Sequence, residues 1–344
     1  MKNTIIVHPN FDGCWPFVAN HLYDLWQQSA TAPTQVELLR LAADETRTID
    51  QLVEDPEKVA GLISLMAPLS AEGLERFHSL KEAVLYTNGY GRQPSDECLA
   101  VLEKNGVKLY KHDSEGYWGQ SVSEFALALT LCGLRSIPQG YMEMMNSHEP
   151  WNYNPPDGIG QPGARGHQFC DSTQFTSGTL ADKRVRIVGA GNIGSRYASF
   201  ANFMGAEVAT WDPYANESSF HRAGTRRVRY LEQLMEDAEI FVPMVPLTDS
   251  TRGLITAAHI KRLPTGCLVV LATRAKICDF DTIKRRVLND ELSLATDVFD
   301  LEPVPLDDPL IGRHNVIHTP HMAGRTRDAN FRYAEALLEF FQPS

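Results

Sequence analysis

A short strand, a turn with three glycines and a helix follow one another in the middle of the chain, and this arrangement constrains the fold most. The run Arg184-Val-Arg-Ile-Val predicts a strand, and Gly189-Ala-Gly-Asn-Ile-Gly194 follows it directly. Residues 193–204 have the pattern of a helix. Glycines at this spacing let the turn tighten, let a ligand approach the backbone and let the helix pack on the strand. The N-terminus of that helix offers amide donors to phosphate groups.

An acidic residue follows the next predicted strand. Residues 207–211 predict that strand, and Asp212 lies 18 residues beyond Gly194. A carboxylate there accepts hydrogen bonds from the adenosine ribose and repels a 2′-phosphate. Three glycines alone would also fit a tight turn without a ligand, but strand, glycines, helix, strand and acid in this order predict an NAD site. Its predicted residues are Gly189, Gly191, Asn192, Ile193, Gly194 and Asp212.

An arginine, an acid and a histidine stand in the C-terminal third of the chain. Arg274 follows the apolar run 267–273, Glu302 lies in Asp297-Val-Phe-Asp-Leu-Glu-Pro, and His321 lies within residues 315–324. Because loops at the carboxyl ends of parallel strands share one edge, we expect the three side chains to converge.

These three residue types are suited to hydroxy-acid chemistry. Arginine holds a carboxylate in a fork, histidine moves a proton near neutral pH, and a buried carboxylate beside it favours imidazolium. The set predicts oxidation of a hydroxy acid or reduction of a keto acid. A purely structural ion-pair network is the alternative.

At this point the chain resembles the D-isomer-specific 2-hydroxyacid dehydrogenase family. The resemblance rests on residues 188–194, Trp211-Asp-Pro-Tyr, residues 245–255, Ala272-Thr-Arg and residues 297–324, in family order over about the last 200 residues. The chain departs from the family at one segment. Where the family usually has Asn-Thr-Ala-Arg-Gly, this chain has Leu271-Ala-Thr-Arg-Ala-Lys.

The resemblance implies interconversion of a D-2-hydroxy acid and its 2-keto acid with NAD as cofactor. It implies that Arg274 binds the substrate carboxylate and carbonyl, that His321 is the acid/base and that Glu302 is its partner. Outside the glycine turn it assigns cofactor binding to Val245, Pro246, Thr251, Ala272, Thr273, Asp297, His321 and Gly324. Transcriptional corepressors also resemble this family, so an NAD(H)-sensing interaction protein is the alternative; the intact Glu302 and His321 favour catalysis.

A chain of 344 residues exceeds the usual size of one hydrophobic core, so we expect two α/β domains. The first third alternates short apolar runs, at residues 5–7, 36–39, 61–66, 83–86 and 107–110, with helical patterns, which predicts βαβ units and a parallel sheet. We therefore expect a flavodoxin-like substrate domain at 1–118, completed by a C-terminal helix within 325–344. A Rossmann dinucleotide-binding domain would span 119–324, with a hinge near Gly116.

Two loops of the first domain follow predicted strands. Met66 and Ala67 follow one of them, and Asn88 and Gly89 follow another. We expect these four residues to bind substrate, in part with backbone amides. Ordinary turn chemistry is the alternative.

The composition restricts the partners. The net charge of −11 and the pI near 5.5 argue against nucleic acid and anionic membranes. The N-terminus has no signal-peptide pattern, no stretch is long and apolar enough to span a bilayer, and the six cysteines show no metal-ligand spacing. We expect a cytoplasmic protein with reduced thiols, no metal and a small-molecule substrate.

Two further segments stand out. Residues 150–178 are rich in proline and glycine, and we interpret them as an arm that packs on the partner in a homodimer, with a surface loop as the alternative. Arg226-Arg-Val-Arg is tempting as a phosphate clamp, but we expect a solvated loop that leads to a strand.

Overall fold

The structure is a computed structural model that describes residues 2–29, 35–89, 91–111, 117–151 and 171–341. The chain divides into two compact units, Met1–Trp118 with Arg325–Ser344, and Gly119–Gly324. Each unit contains a parallel β-sheet with helices in the connections. The predicted fold class, two α/β parallel-sheet domains, is confirmed.

The first unit contains a five-stranded sheet within the described ranges, in the order β2-β1-β3-β4-β5. This is the flavodoxin-like order, in which β1 and β3 are neighbours at the switch point of the topology. The predicted strands are confirmed, with ends shifted by at most three residues. The strands are β1 Lys2–Val7, β2 Gln35–Arg40, β3 Val59–Leu65, β4 Glu82–Tyr86 and β5 Lys108–Leu109.

Alternating apolar residues on the strands give this sheet two buried faces. On β1, Ile5 and Val7 belong to one apolar cluster and Ile6 to another. The predicted C-terminal helix is confirmed as α13 Arg327–Leu338, and its Tyr333 and Leu337 are buried in the first cluster. The other helices of this unit are α1 Pro9–Cys14, α2 Val18–Ser29, α3 Ile49–Leu52, α4 Ala71–Leu74 and α5 Asp96–Lys104, with a 3-10 turn at Pro56–Lys58.

The second unit contains, in its described part, a seven-stranded sheet in the order β12-β11-β10-β9-β6-β7-β8. Strands β6, β7 and β8 follow one another toward one side of the sheet, and strands β9 to β12 follow one another toward the other side. The switch point of the topology therefore lies between β6 and β9. All these strands run parallel, and their carboxyl ends share one edge. The strands are β6 Arg184–Val188, β7 Glu207–Trp211, β8 Arg226–Val228, β9 Ile240–Pro243, β10 Leu268–Leu271, β11 Ser293–Thr296 and β12 Val316–His318.

The helices of the second unit connect these strands and precede the first of them. The helix predicted over 193–204 is confirmed as α8 Asn192–Phe203. The helix that opens the unit is α6 Gly119–Arg135. The others are α7 Ile137–Asn146, α9 Glu217–Ala223, α10 Leu231–Met235, α11 Ala257–Arg262 and α12 Phe280–Leu288, with 3-10 turns at Glu149–Trp151 and Ala275–Ile277.

One local prediction in this unit is wrong. The segment that begins at Arg226 is not a solvated loop but strand β8, which pairs with β7. Arg227 forms an ion pair with Glu217 and its guanidinium lies over the Phe220 ring. The arginines occupy an edge strand, where one side of each residue faces solvent, so an apolar run is not required there.

Two expectations lie outside the described residues: the hinge near Gly116 and most of the proposed arm, residues 152–170. Within the described ranges, no helix combines the length and the apolar character needed to cross a membrane.

Candidate functional site

The candidate residues of the second unit follow consecutive strands along the carboxyl edge of its sheet. The loop after β12 carries His321, β11 leads to Asp297, β10 to Arg274, and β9 to the Val245-Pro246 turn. The glycine turn follows β6 and Asp212 follows β7. The edge therefore runs from the histidine, through the arginine, to the glycine turn at the switch point, where ligands bind in sheets of this class.

The glycine turn is too crowded for side chains at two of its three glycines. A Cβ at Gly194 would lie 2.1 Å from the Gly189 carbonyl oxygen, and Gly189 has φ +105° with Val245 Cγ1 2.9 Å from the position of a Cβ. Gly191 differs, because no atom lies within 4 Å of the position of its Cβ. Gly189 and Gly194 thus allow strand and helix to pack closely, and Gly191 leaves space beside the N-terminus of α8.

This space fits a dinucleotide. α8 begins at Asn192, and its N-cap Gly191 supplies no side-chain cap among the described residues. Backbone amides at an uncapped helix N-terminus favour a phosphate, and the missing Cβ at Gly191 gives that phosphate access. The Asn192 side chain accepts a hydrogen bond from Arg196 Nε at 3.0 Å, and the Ile193 carbonyl accepts one from Ser123. Both residues lie in the first turn of α8, where backbone N–H groups have no intrahelical acceptor and can therefore donate to a phosphate.

Asp212 is tied to the glycine turn by its own carboxylate. Oδ2 accepts a hydrogen bond from the Ala190 amide at 2.7 Å. Oδ1 accepts from the amides of Tyr214 at 2.8 Å and Ala215 at 3.0 Å. A carboxylate has about four acceptor positions, so one remains for a ribose hydroxyl.

Arg274 lies just beyond the end of β10 in extended conformation, with φ −150° and ψ 130°. Its Nη1 donates to the Thr273 carbonyl oxygen at 2.7 Å. The Thr273 hydroxyl in turn donates to the Pro243 carbonyl oxygen at 3.3 Å, which ties the ends of β10 and β9 together. Thr273 and its neighbour Ala272 are buried, so they form the base from which the arginine projects.

Glu302 and His321 are in direct contact. Glu302 Oε2 lies 2.7 Å from His321 Nδ1, and Glu302 Oε1 accepts a hydrogen bond from the Phe299 amide at 2.8 Å. The side chains are 34% and 36% exposed, respectively, so the expectation of a buried glutamate is wrong. Both oxygens of Glu302 are nevertheless engaged, so the carboxylate holds the imidazole ring in one orientation.

The surroundings of Glu302 lower its pKa. Partial burial acts to raise it, but the hydrogen bonds from His321 and the Phe299 amide, with the charges of His321 and Arg274, outweigh that effect. The positive charge of Arg274 therefore contributes to the lowered pKa of Glu302, so this carboxylate interacts with both Arg274 and His321. Glu302 stays ionised to a lower pH than an ordinary glutamate does.

Asp297 is fully buried and holds the loop that carries His321. Its Oδ1 accepts from the Thr319 hydroxyl at 2.5 Å and the Met322 amide at 3.0 Å, and its Oδ2 accepts from the Ala323 amide at 2.9 Å. The resemblance assigned Asp297 to cofactor binding. In the structure its hydrogen bonds go to the histidine loop, where His321 has φ +53°, a region that residues other than glycine seldom occupy.

The other predicted cofactor residues lie on turns at the same edge. Val245 contacts the glycine turn at Gly189. The Thr251 hydroxyl donates to the Pro246 carbonyl oxygen at 2.5 Å and accepts from the Thr248 amide at 2.8 Å, so its side chain closes this turn upon itself. Gly324 ends the histidine loop and contacts Val122 of α6.

The predicted substrate residues all belong to the first unit, at the carboxyl ends of β3 and β4. Met66 follows β3 with φ +65°, and Ala67 beside it is buried. Asn88 Oδ1 accepts a hydrogen bond from the Arg92 amide at 3.0 Å. The Gly89 carbonyl oxygen accepts one from Trp15 Nε1 at 2.8 Å, which fixes this loop to the segment after α1.

The sequence reasoning missed two serines on the first turn of α6. Ser121 Oγ donates to the Ala323 carbonyl oxygen at 2.5 Å, and Ser123 Oγ to the Ile193 carbonyl oxygen at 3.0 Å. Two hydroxyls at the start of an otherwise apolar helix were the available signal. The described residues contain no cluster of histidine, cysteine, aspartate and glutamate arranged to hold a metal ion, and the five described cysteines are free thiols.

The chain is similar to a known protein family and to several individual proteins. Residues 160–323 match the model of the D-isomer specific 2-hydroxyacid dehydrogenase, NAD binding domain. The hydroxypyruvate reductase of Thermotoga maritima is 30% identical over 290 residues, covering 83% of this chain and 84% of that protein. The glyoxylate reductase of Korarchaeum cryptofilum is 24% identical, covering 92% and 84%.

Two further proteins are similar to nearly the whole of this chain. The crystal structure of a D-lactate dehydrogenase from Treponema pallidum has the same fold, with a TM-score of 0.66 and 20% identity over 98% of this chain and 95% of that one. The chain spans about half the length (54%) of another relative, the D-3-phosphoglycerate dehydrogenase of Bacillus subtilis, at 28% identity.

The fold and the glycine turn define the class, an α/β oxidoreductase that binds a nicotinamide dinucleotide as cofactor. Within that class, the chain belongs to the family of D-isomer specific 2-hydroxyacid dehydrogenases.

Proposed function

We propose that this chain catalyses the NAD-dependent interconversion of a D-2-hydroxy acid and its 2-keto acid, with His321, Glu302 and Arg274 as catalytic residues. The observation that carries the proposal is the 2.7 Å contact between Glu302 Oε2 and His321 Nδ1, on the strand edge that also carries Arg274 and the glycine turn. A bound nicotinamide supplies or accepts the hydride.

His321 moves the proton that accompanies the hydride. Because Nδ1 faces Glu302, Nε2 is the ring nitrogen that exchanges a proton with the substrate oxygen. In the reduction direction Nε2–H donates to the oxygen of the former carbonyl, and in the oxidation direction Nε2 accepts the hydroxyl proton. Glu302 keeps the ring oriented and stabilises the imidazolium form.

Arg274 orients the substrate. Its planar guanidinium holds the carboxylate by two parallel hydrogen bonds and polarises the adjacent carbonyl. Its charge also stabilises the negative charge that develops on the substrate oxygen as hydride arrives. This assignment predicts that the 2-carboxylate is required of every substrate.

The first unit supports an unphosphorylated substrate. A cavity of about 450 Å³ lies at the carboxyl ends of β1, β3 and β4, and Met66 and Ala67 are part of its wall. Among the described residues that line it, none is a lysine, arginine, aspartate or glutamate. Lysine and arginine are the side chains that most commonly pair with a phosphate monoester. If Met66, Ala67, Asn88 and Gly89 bind the substrate, as we propose, hydroxypyruvate or glyoxylate is favoured over a phosphorylated acid.

We further propose that the protein is a homodimer. Helix α7 has no buried residue, and its apolar side chains at positions 137, 141 and 145 follow a helical stripe. Tyr141 and Met145 are each 65% exposed. A second copy of this chain, packed against the same helix, would cover the stripe by twofold symmetry.

The test is a screen of carbonyl compounds with NADH, using wild type and Arg274→Lys. Lysine keeps the charge but loses the fork, so the variant should have a higher KM and a lower kcat, with kcat/KM reduced by about tenfold to a hundredfold. Arg262→Lys, at an exposed arginine paired with Glu236, is the matched control and should behave as wild type. Reduction of a simple ketone at a rate comparable to its keto-acid analogue would contradict the proposal.

A further inference from the structure

The loop that carries His321 is held on two sides at the buried residue Ala323. The Ala323 amide donates to Asp297 Oδ2 at 2.9 Å, and its carbonyl oxygen accepts from Ser121 Oγ at 2.5 Å. Ala323 stands two residues after His321, whose left-handed backbone conformation costs free energy and persists only when the surroundings enforce it. Ser121 is therefore one of the groups that enforce it.

The same turn of α6 contacts the phosphate-binding end of α8. Ser123 Oγ lies 3.0 Å from the Ile193 carbonyl oxygen, within the first turn of α8, and 2.5 Å from the Gly119 carbonyl oxygen of its own helix, so the two oxygens share its one proton. A Cβ at Gly119 would lie 2.4 Å from Asn192 Nδ2, so the two helix starts are in close contact. One helical turn thus contacts both the histidine loop and the glycine turn.

We propose that the start of α6, Gly119–Ser123, is a brace that positions His321 and the dinucleotide-binding end of α8 relative to each other, with Ser121 and Ser123 as positioning residues. The inference rests on the proposed roles of His321 and the glycine turn. Each hydroxyl contacts a carbonyl on a different functional segment, so removing one should disturb one segment more than the other.

The expected effects are different for the two serines. Ser121→Ala leaves the buried Ala323 carbonyl without its partner, and it should lower kcat about threefold to tenfold while NADH affinity stays close to wild type. Ser123→Ala removes the hydroxyl that links α6 to the Ile193 carbonyl, and it should weaken NADH binding by a similar factor while kcat at saturating NADH changes less.

Two control variants separate positioning from general stability. Ser121→Thr keeps the hydroxyl and should restore kcat. Thr130→Val removes a buried hydroxyl further along α6, one that donates to the Ala126 carbonyl and contacts the Tyr197 hydroxyl. It should lower the thermal midpoint without changing kcat or the NADH dissociation constant.

The experiment measures four quantities for each variant: kcat with one keto acid, the dissociation constant of NADH from fluorescence, the thermal midpoint, and the NMR signals of the His321 ring with their pH dependence. The last three need no turnover, so they test the brace even if no keto acid is reduced and the proposed function fails. We expect the His321 ring signals to shift in Ser121→Ala and not in Thr130→Val. The brace is overturned if Ser121→Ala leaves kcat and the ring signals unchanged, or if Ser123→Ala leaves NADH affinity unchanged.

Discussion

The carboxylate of Asp212 links the backbone of the glycine turn to the loop after β7. It accepts hydrogen bonds from the backbone N–H groups of Ala190, Tyr214 and Ala215, which leave about one acceptor position for a ligand. A carboxylate held in this way accepts a ribose hydroxyl but repels a 2′-phosphate. This arrangement supports the expectation that NAD(H) is preferred over NADP(H).

Replacement of this carboxylate should therefore change the cofactor preference. We expect wild type to use NADH at least about tenfold more efficiently than NADPH, and Asp212→Ser to reduce that ratio by about tenfold, because the repulsion of a phosphate is lost. The measurement is kcat/KM for both cofactors with one keto acid. Asp281→Ser, at an exposed acid in the first turn of α12, is the control and should leave the ratio unchanged. Equal efficiency of wild type with both cofactors would contradict the assignment.

Some residues of the candidate site could be predicted from the sequence, and others could not. Arg274, Glu302 and His321 could be selected because each residue type has a distinctive chemistry after a predicted strand. Ser121 could not, because its partner Ala323 lies 202 positions away in the chain and only the folded unit brings them together. The hydrogen bonds from Asp297 to the histidine loop could not be predicted either, because local sequence does not show which way this carboxylate points.

Helices and strands were predictable where burial dictates an apolar pattern. The strands next to the switch point, β6 and β9, have little exposed surface. The edge strand β8 contains Arg226 and Arg227 and gave no such pattern. Helix α7 is the opposite case, because its apolar residues are exposed rather than buried.

The exposed stripe of α7 yields a prediction about assembly. Met145→Lys places a charge in the stripe, and the variant should be monomeric at concentrations where wild type is dimeric, because an unpaired charge in an apolar interface is costly. Phe203→Lys, at a 91% exposed residue at the end of α8, is the matched control and should leave the mass unchanged. The measurement is the molecular mass of each variant in solution, from light scattering, which distinguishes a monomer from a dimer. A wild-type protein that remains monomeric, or a Met145→Lys variant that remains dimeric, would rule out this interface.

Across the whole molecule, the sequence predicted two α/β units, the glycine turn and the residues on the edge of the second sheet. The order of the strands along that edge was not predictable, since it depends on which strands pair after the chain reverses at the switch point between β6 and β9. That order is what brings the loops after β10 and β12, with Arg274 and His321, to the same end of the sheet. The exposure of Glu302 was also unexpected, because its position depends on the path of the loop after β11.

The central claim is that Glu302 and His321 act together in moving the substrate proton. Hydrogen bonds from His321 and the Phe299 amide, with nearby positive charge, lower the pKa of Glu302, so the carboxylate is ionised near neutral pH. The negative charge of Glu302 is therefore fully present above the ordinary glutamate pKa and is lost as the pH falls through the lowered value. Keto-acid reduction needs imidazolium, and a neighbouring carboxylate charge favours that form.

The most direct test compares pH–rate profiles of keto-acid reduction for wild type, Glu302→Gln and Glu236→Gln. Loss of the carboxylate charge should move the alkaline limb of Glu302→Gln to lower pH while NADH affinity stays nearly unchanged. Glu236→Gln, at an exposed acid of the same unit, should superimpose on wild type. His321→Ala should lower kcat by about two to four powers of ten. If the limbs of Glu302→Gln and wild type superimpose, Glu302 is not the partner of His321 and the proposed proton relay is wrong.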